Sequence, residues 1–158
     1  MLFRSVIGGI TWFFEVGLDL PGIGILAAFL TFMILASMIA IYRAGLIRWD
    51  RNLAIAVYSS LFAIILIYIF SIIGAVTGLF QVPYIHDATP AGIAFSLFVV
   101  GIGALCLVAD FDFIERGVQM GAPKQLEWRA AFGLMVTLIW LYLEILELLA
   151  KIAIYSRR

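Results

Sequence analysis

Four carboxylates sit where carboxylates are expensive. Glu144 and Glu147 lie inside one long apolar run, residues 130–155, and Asp110 and Asp112 lie at the end of another. A charged side chain at the centre of a membrane helix is unfavourable by roughly 2.5–3.5 kcal/mol on insertion scales, so such residues face a bundle interior or a watery cavity. Glu144 and Glu147 are three apart and share a helix face, while Lys151 follows Glu147 by four in the favourable acid-before-base order. Glu147 therefore has a local counter-ion and Glu144 has none, which makes Glu144 the residue expected to carry function. Asp110 and Asp112 are two apart, about 200° around a helix, so only one of them can face the interior that Glu144 faces. Carboxylate oxygens suit hard cations such as Ca²⁺, and two carboxylates held close together titrate as a coupled unit. Glu144 with Asp110 or Asp112 would be both an ion contact, as candidate Ca²⁺ ligands, and a pH sensor. The plainer reading is that these groups are interhelical hydrogen-bonding partners without transport.

Other chemistries find no support. The chain has no glycine-rich phosphate loop, no His-Glu-x-x-His and no paired cysteines. Cys106 is alone in an apolar run and can form no intrachain disulfide. His86 stands beside Asp87 in a proline-bounded connection, which is too few ligands for a metal site. A Ser-His-Asp hydrolase would have to use His86, away from the buried acids. An intramembrane aspartyl protease would need two carboxylates sharing a proton, a fit that Asp110 and Glu144 meet only superficially. The chain is therefore read as a non-enzyme with no cofactor other than Ca²⁺ as a permeant or bound ion. Ten basic and ten acidic residues cancel, so no attraction to nucleic acid is expected.

The elements that must position these acids are membrane helices. With 65% hydrophobic and 13% charged residues, the chain lies far from the soluble average of about a quarter charged. It reads as an all-α polytopic bundle, one transmembrane domain over residues 1–158, whose partner is the lipid bilayer. Spans are expected near 2–18, 21–43, 53–80, 91–114 and 130–154. The first falls short of the roughly 20 residues a crossing needs. Pro21 starts the second at a position where a missing N–H costs nothing. Gly74 and Gly78, spaced four apart, and Gly92, Gly101 and Gly103 are expected to let neighbouring helices approach closely. Three basic residues in 43–51 and three in 116–129, against none in 18–22 and 81–90, put the first two connections in the cytoplasm. Lys151, Arg157 and Arg158 then fall on the opposite side, against the rule. Either the last helix does not fully cross, or the earlier loops overrule its tail; the second is favoured.

The stretch LVADFDFIERG, residues 107–117, followed by AFGLMVTLIWLYLEILELL, residues 131–149, resembles the last two membrane helices of the Bax-inhibitor family, in its bacterial YccA-like branch. More loosely, the resemblance extends over nearly the whole chain. It implies a seven-helix fold with the last helix enclosed by the others. It also implies a functional pair: an aspartate near the cytoplasmic end of the sixth helix, and an acid in a Tyr-Leu-acid motif on the seventh. Here that motif is Tyr142-Leu143-Glu144, and Asp110, in preference to Asp112, takes the other place. The implied activity is a pH-dependent calcium leak in the bacterial inner membrane. Other members are described as anti-death regulators or modulators of a membrane protease, so the competing expectation is a regulator that binds a membrane partner and conducts nothing.

Three departures from the family pattern matter. The chain is expected to lack the first two helices and part of the third, including the helix-two arginine that can pair with the sixth-helix aspartate. Glutamate replaces the usual aspartate in the last helix. Finally, a straight hairpin turning near Gly121 would set Asp110 and Glu144 about 15 Å apart in depth, so pairing them requires residues 123–129 to lie along the membrane surface.

Overall fold

In the computed structural model, which describes residues 2–78 and 87–157, the chain is a succession of helices with no strand among the described residues. Helix α1 covers Leu2–Trp12 and runs on into a π-helical turn, Phe13–Gly17. Then follow α2, Ile23–Arg43, α3, Arg51–Thr77, α4, Pro90–Gln119, and α5, Gln125–Ser156. His86 and most of the connection around it lie outside the described residues.

Four of these helices, α2 to α5, are long and apolar enough to cross a membrane. The shortest, α2, has 21 residues, about 30 Å at ~1.5 Å per residue, the thickness of a hydrocarbon core. The first segment, expected over 2–18, is instead an 11-residue α-helix continued by a five-residue π turn, and it stays short of that length. Sequence signals set the other ends. Asp50 caps α3 by accepting a hydrogen bond from Leu53 N at 2.8 Å, and Thr89 caps α4 by accepting one from Gly92 N at 3.2 Å, with Pro90 in the first turn. Gly78 ends α3 in the left-handed conformation, φ 66°, its N–H bonded to Gly74 O. It is therefore a helix stop, and not half of a helix-packing pair with Gly74.

Every other helix touches α5. It packs along α4 and against α2, meets α1 through Tyr142 and Thr11, and meets α3 through Tyr68 and Glu144. Leu107 and Val108 of α4, Ala27 of α2, and Leu141, Ile145 and Leu146 of α5 form the main core. A second cluster, Val57 and Ile64 with Val99 and Ile102, holds α3 to α4. Large apolar side chains such as Phe29, Phe62, Phe70 and Val76 point outward and are exposed, as expected for faces solvated by lipid. Among the glycines expected to thin α4, Gly103 does so, since a Cβ there would lie 3.0 Å from Leu141 Cδ1. Gly101 faces open space.

The α4–α5 hairpin is tight. Met120 to Lys124 make the whole turn, with Gly121 at φ 61°. Gly103 lies against Trp140 and Leu141, and Ser96 reaches Lys151, so the two helices run antiparallel in steady register. At the far end Arg157 donates to Asp19 O at 2.8 Å. This places the C-terminus beside the turn before α2, and α5 passes along the full height of the bundle. The tail is thus on the side of the non-basic connections, and Lys151 is not a surface charge.

Candidate functional site

Glu144 is 6% exposed although it carries a carboxylate. Its enclosure has a local and a distant part. Trp140, one turn earlier on α5, donates its indole N–H to Oε1 at 3.1 Å, an i, i+4 contact that the helix itself supplies. Tyr68 of α3 donates its hydroxyl at 2.9 Å from Oε1 and 3.1 Å from Oε2. An indole can only donate, whereas a phenol can donate or accept. The pocket can therefore hold the ionised acid with two donors, or the protonated acid with Oε2–H turned toward the Tyr68 oxygen.

One turn further on, Glu147 and Lys151 form the expected ion pair, Nζ to Oε1 2.7 Å. Lys151 is 4% exposed and also donates to Ser96 Oγ of α4 at 2.7 Å. A cavity of about 430 Å³ adjoins this pair, lined by Phe13, Leu18, Asp87, Glu147 and Lys151 among others.

Asp110 and Asp112 point in different directions, as their spacing requires. Asp112 pairs with Arg116 at 2.8 Å, one turn along α4. Asp110 faces α5 instead, where a Cβ on Gly133 would lie 3.8 Å from its Oδ1 and the Thr137 hydroxyl is its neighbour. Its Oδ2 is buried and has no hydrogen-bond partner. Thr137 and Glu144 are two turns apart on α5, roughly 10 Å along the axis. The structure therefore does not bring Asp110 and Glu144 together: the hairpin is straight, and residues from Gln125 onward are helix, not a surface stretch. Ca²⁺–oxygen distances are about 2.3–2.6 Å, so these two carboxylates cannot share one ion in this arrangement. Among the described residues no group of three or more His, Cys, Asp or Glu converges on a metal position.

Tyr142, the first residue of the Tyr-Leu-acid motif, faces the opposite helices. Its hydroxyl is 2.8 Å from Thr11 Oγ1, and Thr11 donates to Ile7 O at 2.8 Å, which leaves Tyr142 as the donor to Thr11. Gly24 of α2 lies in the same corner, and its N–H donates to Glu15 Oε1 at 3.2 Å. Tyr142 thus ties α5 to α1 and α2, while Glu144 ties it to α3.

Tyr68, Trp140, Ser96 and Glu15 are the residues that reasoning from sequence alone passed over. Trp140 carried a usable signal, its i, i+4 spacing to Glu144. Tyr68 and Ser96 carried none beyond being polar groups in apolar spans.

No curated protein and no solved structure matches the chain. The family model for Bax inhibitor 1 like proteins does match, over residues 5–154. With nearly all of its length inside that match, the chain belongs to the Bax inhibitor 1 like family.

Proposed function

We propose that the protein is a pH-sensitive cation leak of the bacterial inner membrane, with Ca²⁺ as a permeant ion and the basic connections on the cytoplasmic side. The observation that carries this reading is the enclosed Glu144 carboxylate, bonded across helices to Tyr68 and within its own helix to Trp140. A hydrogen bond to a charged acceptor contributes about 1.5–3 kcal/mol, and a neutral one about 0.5–1.5. Protonating Glu144 therefore weakens the tie between α3 and α5 by roughly 1.4 kcal/mol, a factor of about ten in the open population. Helix α3 is the least covered of the four long helices, which makes it the element that moves. Asp110, two turns nearer the basic end and with an unpartnered Oδ2, is a second station for a passing cation.

On this reading flux rises as pH falls through the titration of Glu144. The test is Ca²⁺ efflux from liposomes containing only this protein, across pH 5 to 8, for the wild type and Glu144→Gln. The reading expects efflux that increases toward acid pH in the wild type. The variant, neutral at every pH, should stay near the acid level throughout. Absence of efflux at every pH would contradict it and favour a regulator that conducts nothing.

A further inference from the structure

Lys151 is an odd residue to find inside a bundle of apolar helices. Its ammonium is 4% exposed and lies 2.7 Å from Glu147 Oε1 and 2.7 Å from Ser96 Oγ. Those two oxygens come from different helices, α5 and α4, and converge on one point. Both belong to groups that hard cations accept as ligands. The same point borders the cavity of about 430 Å³ that Asp87 and Glu147 line. Stability alone does not account for this arrangement, because replacing a buried ion pair by apolar residues is often neutral or stabilising. A lysine four residues after a glutamate could also pair with it on the outside of the helix, with no need of Ser96.

We propose that Lys151 is a tethered cation: its ammonium fills a cation seat formed by the Glu147 carboxylate and the Ser96 hydroxyl, and an entering divalent cation must displace it. A cation arriving from the Asp87 side meets Glu147 next and finds the seat taken. Oxygens 2.7 Å from the ammonium need to close by only a few tenths of an ångström to reach Ca²⁺ distances of about 2.3–2.6 Å, with water from the cavity completing the shell. One carboxylate and one hydroxyl make a weak site, in the range of about 10⁻⁴–10⁻³ M or weaker. In transport terms the inference rests on the leak reading, where Lys151 limits flux; as a binding site it stands without it.

Two measurements on the full chain test it. Lys124 and Lys151 are its two lysines, so acylation by a small amine reagent, read by mass spectrometry, has an internal reference in the exposed turn. In wild-type protein the Lys151 to Lys124 labelling ratio should rise several-fold in Ca²⁺ at ~10 mM, above the weak-site range. A ratio that Ca²⁺ does not change overturns the proposal. The second measurement is Tb³⁺ luminescence excited through tryptophan. Lys151→Gln should show a saturable, Ca²⁺-competed signal that half-saturates at several-fold lower Tb³⁺ than in the wild type, and the E147Q/K151Q double variant should lose it. A folded K151Q with no such signal also overturns the proposal; if K151Q does not fold, the labelling ratio decides. Ca²⁺-dependent labelling in a wild type that shows no liposome flux would keep the seat and sink the leak reading, so the two fail separately.

Discussion

The Tyr68 hydroxyl lies 2.9 Å and 3.1 Å from the two oxygens of Glu144, and this contact joins α3 to α5 at the level of a buried carboxylate. Elsewhere α3 leans chiefly on α4 through Val57 and Ile64. The Tyr68 hydroxyl thus couples the charge state of the central helix to the least covered one.

Removing that hydroxyl separates the tie from the charge. In Tyr68→Phe, Glu144 keeps Trp140 but loses its interhelical donor, at a cost of about 1–3 kcal/mol in thermal or denaturant unfolding. Efflux at pH 8 should rise by about tenfold, toward the wild-type acid level. Unchanged efflux at pH 8 in a folded Y68F would mean that the contact does not hold the closed state.

Asp110 and Glu144 should behave as independent sites. Asp110→Asn should lower Ca²⁺ efflux several-fold while leaving its dependence on pH in place. Being roughly 10 Å apart, D110N and E144Q should have effects on unfolding free energy that add to within about 0.5 kcal/mol. A coupling above about 1 kcal/mol in that double-mutant cycle would contradict the separation of the two carboxylates.

Gly24 is required by the close approach of α1 and α2. A Cβ at that position would lie 2.4 Å from Thr11 Cγ2 and 3.1 Å from Glu15 Oε1, and Thr11 is held in place by Ile7 O and Tyr142. Gly24→Ala should destabilise the protein by about 1–3 kcal/mol. Adding Thr11→Ser removes the offending methyl and keeps the hydroxyl, so the double variant should recover most of the loss in detergent melting curves. No recovery would show that the methyl is not the obstacle.

The Glu147–Lys151 pair should be costly to break and cheap to replace. Glu147→Gln leaves a buried ammonium without that carboxylate and should cost about 3 kcal/mol, the low end for a broken buried pair because Glu147 is 27% exposed. E147Q/K151M should be more stable than E147Q alone. The reverse order of melting temperatures would contradict this.

What could be read from the sequence was whatever is local along the chain. Long apolar runs between polar connections foretold α2 to α5, and the four-residue spacing of Glu147 and Lys151 foretold their ion pair. The opposed directions of Asp110 and Asp112 followed from helix geometry alone. The partner of Glu144 was not legible, because Tyr68 is distant in the chain and α3, exposed over most of its surface, has no polar stripe to mark its inner face. The expected pairing of Asp110 with Glu144 came from the family resemblance. The hairpin geometry argued against it, and the register of α4 on α5 follows the hairpin.

The central claim is that Glu144 takes up a proton as the leak opens, and isotope-edited infrared difference spectroscopy reads this directly. With glutamate labelled by ¹³C, the wild type in bilayers should gain a protonated carboxylic carbonyl band between pH 8 and pH 5, missing in Glu144→Gln, with the same midpoint as Ca²⁺ efflux. A band assigned to Glu144 that does not change over that range, while efflux does, would contradict the account.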